Sequence, residues 1–210
     1  MFPVGFFAFF GFFVFLLMII LVKATYVVRQ AEVILIERFG EFSKTLESGI
    51  HFIIPFVDLP RKVLWTFVKD DSRGKQIYRY SQFVERIDLR EAVNDFPKQS
   101  VITKDNVTME INALLYYQIT DPKAAVYEVA NLPQAMEKLT QTTLRNVIGS
   151  MDLDESLISR DKINEKLREI LDEATDKWGV KVNRVELQEV SPPLDIRNAP
   201  TKLMKDLGYS

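Results

Sequence analysis

Cysteine is absent from all 210 residues. That removes disulfides, thiolate nucleophiles and every cysteine-based metal site, and it fits a reducing compartment. Histidine occurs once, as His51, so a Ser-His-Asp arrangement has a single candidate base, and no Gly-x-Ser-x-Gly elbow accompanies it. His51 lies inside an apolar run, where a packing role is expected rather than catalysis. The eight glycines are scattered, leaving neither a phosphate-binding loop nor a dinucleotide fingerprint. Positive charge is not in excess either: 27 Lys and Arg face 29 Asp and Glu, so no basic face for nucleic acid is expected. Asp152, Asp154 and Glu155 could hold a cation, but helix capping explains them better. These absences predict no catalytic, cofactor or metal site.

What the chain has in abundance stands at its start. Residues 2–22 run for 21 positions without a charge, Ser, Thr, Asn or Gln, and eight of the 15 Phe lie in the first 15 residues. A helix of that length covers about 31 Å, against about 30 Å of bilayer hydrocarbon. A cleaved signal peptide would have a basic start and a shorter core. A re-entrant hairpin would want a breaker near the middle, whereas Pro3 stands at the start, where a helix tolerates it. The expectation is a membrane anchor over residues 1–24, with Phe6, Phe10, Phe13, Leu17 and Ile20 facing lipid. Lys23 and Arg29 follow the run, and the positive-inside rule places the remainder in the cytoplasm. This predicts a single-pass protein of a bacterial inner membrane.

After residue 22 come all the charged side chains, enough chain for one ordinary domain or two small ones sharing a core. Residues 26–38 read as one strand, closed by Phe39-Gly40. Residues 41–48 read as a polar turn with Phe42 and Leu46 as its apolar pair. In 49–58, six large apolar residues surround Pro55, which predicts an edge strand or loop. That run is either core or an apolar tip reaching the bilayer, and Phe52, Ile54 and Phe56 are its candidate membrane contacts. Residues 61–80 read as a hairpin turning at 70–74, and 84–89 as a short strand. The strongest strand is 108–119, where period-two alternation holds for twelve residues, paired with 99–103 through Lys104-Asp105-Asn106.

Helices follow. Asp121-Pro122 opens one, Asn131-Leu132-Pro133 a second ending at Gly149, and Asp152 with Glu155 offers a capping box for a third running to Trp178. The third carries Leu157, Ile163, Leu167, Ile170, Leu171 and Ala174 against a charged face. On that face Asp161, Glu165, Arg168 and Glu169 are candidate subunit contacts, because Asp161/Glu165 and Glu165/Glu169 are like-charged pairs four apart. A last strand, 180–190, shifts its apolar register at Asn183-Arg184, suggesting a bulge. Strands first and helices afterwards give the α+β class.

Several motifs in this order resemble one family. Glu37-Arg38-Phe39-Gly40, the 49–58 run, Val101-Ile102-Thr103-Lys104-Asp105-Asn106-Val107, Leu144-Arg145-Asn146-Val147-Ile148-Gly149 and Leu153-Asp154-Glu155 are similar to the stomatin/prohibitin/flotillin/HflK–HflC (SPFH, or band 7) domain. The stretch from Leu171-Asp172-Glu173 to Gly179-Val180, then Arg184-Val185-Glu186-Leu187, resembles its stomatin-like (slipin) branch. The resemblance covers about residues 26–199 and implies an SPFH domain over 25–190 behind the anchor. Slipins continue into a long charged helix. Here Pro200 interrupts and the sequence stops at Ser210, so 191–210 is expected to be a shortened start of that region, and 63–83 a longer hairpin than in the shortest members. The resemblance implies a non-enzymatic, membrane-anchored scaffold that forms homo-oligomers, organises membrane microdomains and lipids, and modulates membrane proteins or proteases. An NfeD-type membrane protein or a membrane protease is the implied partner. The alternative is a regulatory subunit of a membrane protease or channel, since one span without a polar face cannot line a pore. A tethered hydrolase using His51 is the enzymatic alternative.

Overall fold

The computed structural model describes the backbone of residues 4–70 and 77–191; the side chains of 4–10, 16, 20, 66–70, 77–80 and 189–191 lie outside that description. Two compact units emerge, Met1–Leu89 and Arg90–Ser210.

The first unit opens with α1 (Val4–Ala24). Among the described residues no helix is long and apolar enough to cross a membrane. Part of α1 stands outside that statement, because nine of its side chains are not described. Strands follow: β1 (Thr25–Val28), β2 (Glu32–Arg38), β3 (Glu41–Leu46), β4 (Gly49–Phe52), β5 (Asp58–Pro60), β6 (Val63–Asp70), β7 (Ile77–Val84) and β8 (Ile87–Asp88). The single strand expected over 26–38 is therefore two. Ala31 turns the chain with φ +60°, Glu32 donates its N–H to the Arg29 carbonyl, and the halves find different partners. β1 pairs with β4, while β2 pairs with β3, β5 and β8.

The polar turn expected over 41–48 is likewise a strand. β3 returns along β2 through the two-residue turn Phe39-Gly40, with Arg38 opposite Glu41. Both turn residues have positive φ, +54° and +86°, as a tight hairpin between right-twisted strands demands. Val28, Ile34, Ile36, Leu46 and Ile53 form the core of these strands. The hairpin expected over 61–80 is present as β6 and β7, antiparallel with Asp70 opposite Ile77; most of its turn lies outside the described residues. The strand expected over 84–89 shrinks to β8, because Val84 already closes β7.

The second unit holds β9 (Ala92–Asp95), β10 (Gln99–Ile102), β11 (Thr108–Ile119), α2 (Pro122–Tyr127), α3 (Leu132–Gly149), α4 (Leu153–Ile158), α5 (Arg160–Thr175), a 3-10 turn (Asp176–Trp178) and β12 (Val180–Ser191). β11 has the expected bounds, and its inward residues Met109, Ile111, Ala113, Leu115, Tyr117 and Ile119 are all buried. It pairs along one side with β12, and the register slips where Tyr116 faces Arg184 and Tyr117 faces Val182. Asn183 is the residue left over, so the expected bulge is there. Asp121 and Asn131 cap α2 and α3 as expected, each with its side-chain oxygen on backbone N–H groups.

The third helix departs from expectation. It breaks at Ser159 into α4 and α5, and Asp152 makes no side-chain cap bond. At Ser159 the backbone leaves helical geometry (φ −98°, ψ 33°), and the buried residue of α4 is Ser156 while Leu157 stays half-buried. The break lets Ile163, Leu167 and Leu171 face the core while Ile158 stays exposed. The α4 cap comes from another element: the Asp105 carboxylate accepts the Leu153 N–H at 3.2 and 3.3 Å. Gly179 ends the helical stretch at φ +64°, and its carbonyl accepts the N–H of both Thr120 and Asp121. An α+β class thus holds for the chain.

Candidate functional site

The exposed apolar residues of the first unit gather around the end of α1. Thr25 Oγ1 donates to the Leu21 carbonyl at 2.9 Å, closing the last helical turn. Thr25 then pairs with Phe52, and the Ala24 carbonyl accepts the Ile53 N–H at 2.8 Å. The segment after β4 is thereby tied to the exit of α1.

One carboxylate shapes that segment. Asp58 is 2% exposed; its Oδ2 accepts the Ile54 N–H at 3.0 Å. Arg38 donates to it twice, from Nε at 2.8 Å and Nη2 at 3.3 Å, a bidentate fork. The hydrogen bond from Arg38, then that from Ile54, holds the Asp58 carboxyl below its ordinary value. The backbone N–H of Asp58 adds a bond to the Ile54 carbonyl at 2.9 Å. A closed turn results, with Phe56 at its tip and φ +71°.

Arg38 lies opposite Asp58 in the β2–β5 register, so the Phe39-Gly40 turn and the Phe56 turn emerge at the same end of these strands. Phe39 is 87% and Phe56 83% exposed. Phenylalanine with positive φ is disfavoured by roughly 1–2 kcal/mol, and neither ring gains packing in return. Phe52, Ile54 and Leu59 are also exposed, and Ile53 alone of the neighbouring apolar residues turns inward. An open-sided cavity of about 450 Å³ lies between this segment and the α1 exit, lined by Val22, Lys23, Tyr26, Phe56 and Leu59 among others. Of the two readings left open for 49–58, an exposed apolar tip describes most of it and core describes Ile53.

The other expected residues divide as follows. Phe13 and Leu17 are exposed on α1, and the side chains of Phe6, Phe10 and Ile20 lie outside the described residues. His51 is half-buried in β4, with Nε2 2.7 Å from the Glu47 carbonyl; that nitrogen carries the proton and donates, which is a structural role. Asp161, Glu165 and Glu169 are exposed on α5. Arg168 is spent within its own helix, donating to both Glu165 oxygens at 2.7 and 3.3 Å, and this lowers Glu165 and raises Arg168. Among the described residues no group of acidic or His side chains is arranged to hold a metal ion. Phe39, Leu59 and the Arg38–Asp58 pair escaped the sequence reading. The Phe-Gly turn was their one visible signal, because the pairing of residues 20 apart depends on strand register.

Residues 26–206 match the family described as SPFH domain / Band 7 family. An uncharacterized protein of Methanocaldococcus jannaschii is 43% identical over 188 residues, covering 90% of this chain and 82% of its own length. An uncharacterized protein of Mycobacterium tuberculosis is 42% identical over 188 residues, 90% of this chain and 43% of its own. A stomatin homolog of Pyrococcus horikoshii is 38% identical over 182 residues, 87% of this chain and 59% of its own. The chain spans about half the length of the mycobacterial and Methanothermobacter relatives it matches.

Proposed function

The chain belongs to the SPFH / Band 7 family as a stomatin-like member, and from that premise we propose that it is a non-catalytic scaffold anchored in a membrane by α1. Members of this family are in general membrane-associated scaffolds rather than enzymes. The observation that carries the proposal is the bond between the Ala24 carbonyl and Ile53. It fixes an exposed apolar tip at the exit of a 21-residue apolar helix, where a bilayer surface would lie. α1 is long enough to span the hydrocarbon, with Lys23 at the boundary. In this reading Phe39, Phe52, Ile54 and Phe56 enter the interfacial layer, and Phe13 and Leu17 face lipid within the span. Lys23 and Arg29 favour a cytoplasmic body.

Assembly completes the proposal. On α5, Lys162, Lys166 and Arg168 offset Asp161, Glu165 and Glu169 only partly, since with Arg160 four basic residues meet five acidic ones along the helix, and a neighbouring subunit supplies the balance. Such an assembly would organise lipid and modulate membrane proteases or an NfeD-type partner. The test is extraction: full-length protein should stay in the membrane pellet at alkaline pH, and a variant lacking residues 1–23 should be released. Intact wild-type protein in the alkaline supernatant would sink the proposal. Topology is read separately, since the chain has no Cys. Ser150→Cys should resist an impermeant maleimide in whole cells, and its labelling would place the body outside.

A further inference from the structure

We propose that the cavity between the exit of α1 and residues 53–60 is a binding site for one anionic glycerophospholipid, with its phosphate on Lys23 and its first acyl methylenes against Ile53, Phe56 and Leu59. The inference rests on the anchored reading, which puts this cavity at headgroup depth.

Size, charge and shape favour this occupant. About 450 Å³ falls within the range of ligand clefts, about 300–1,000 Å³. Lys23 lines the cavity, is exposed, and makes no ion pair among the described residues. An ammonium ending an apolar span extends toward the headgroups and meets phosphate there. Asp58 also lines the cavity, but its oxygens are taken by Arg38 and the Ile54 N–H, so it does not cancel Lys23. The remaining lining is largely apolar, which suits methylenes better than a free anion. The wall is fixed rather than loose, because the bonds to Asp58 hold Phe56 in its left-handed conformation.

Full-length protein extracted in mild detergent is mixed with equal phosphatidylglycerol and phosphatidylcholine, and retained lipid is read by native mass spectrometry. Wild type should retain phosphatidylglycerol in preference by about fivefold, the weight of one cation facing an anionic headgroup. Lys23→Gln should abolish the preference and Lys23→Arg should keep it. Leu59→Trp, which fills the cavity, should reduce retention of both lipids. Arg29→Gln, at an exposed position outside the cavity, should change nothing. No preference in wild type, its survival in Lys23→Gln, or an equal loss in Arg29→Gln would overturn the site. So would displacement of lipid by inorganic phosphate, which would make it a free-anion site. The alkaline extraction above fails or succeeds independently of these readings, so the loss of this site and the loss of the anchor are distinguishable.

Discussion

Asp58 is the residue on which most of the first unit's exposed end depends. Removing its side chain leaves the Ile54 N–H without its side-chain acceptor and Arg38 without a partner; for Asp58→Ala the expected cost is about 1–3 kcal/mol. Asp58→Asn keeps an acceptor and loses the charge, so it isolates the ion pair. The sign of its pH dependence follows from the lowered carboxyl. Its stabilising contribution is whole above the ordinary carboxylate value and disappears as pH falls through the folded one. Wild type should therefore exceed Asp58→Asn in thermal stability at pH 7, and the gap should close below about pH 4. A gap independent of pH would show that the pair contributes no charge interaction. Gly179 is a second such position. A Cβ there would run into the Asp121 carbonyl and the side chains of Asp121 and Ala124, at φ +64°. Gly179→Ala should destabilise the second unit by more than the roughly 1–2 kcal/mol of left-handed strain alone, read as a fall in melting temperature.

Elements differ in how visibly the sequence announces them. β11 is plain because one face is buried throughout, so every second residue is apolar from Met109 to Ile119. β3 is concealed because Glu41, Ser43, Lys44 and Thr45 leave no such alternation, and its strand character comes from pairing with β2. The α4–α5 break is equally concealed: apolar residues recur on both sides of Ser159, and no Gly or Pro marks the interruption. A local signal also misled at Asp152, where the capping pattern is present but the cap is supplied by Asp105 from the β10–β11 turn. Asp105→Ala should cost about 1 kcal/mol, whereas Asp152→Ala should cost a few tenths, and chemical denaturation of the pair compares them. Equal losses would restore the local cap. β12 shows a related dependence on α5. The N–H groups of Val182 and Leu187 donate to Asp172 and Asn164 at 2.9 and 3.0 Å, side chains two helical turns apart that cover donors at this edge of the sheet.

At the scale of the molecule, the proposed scaffold draws on an apolar helix, a clamped apolar end and a charged helix. The family and the α+β class were legible in motifs spread along the chain. The exposed end was legible only in part, since Phe56 stands in an apolar run but Phe39 reaches the same end through register. Individual surface charge contacts are worth about 0–1 kcal/mol and are weakened by salt. An assembly held by α5 should accordingly cross-link in native membranes at low salt and fall apart at high salt. Monomer alone at low salt would remove α5 as a subunit contact. The central claim is that Phe39 and Phe56 lie in the bilayer interface. Because no native Cys interferes, nitroxides at Phe39→Cys, Phe56→Cys and, as a reference, Ser150→Cys can be compared in vesicles by their accessibility to oxygen and to a water-soluble relaxing agent. Oxygen should dominate at 39 and 56 and the water-soluble agent at 150; the same aqueous accessibility at all three positions would contradict the account.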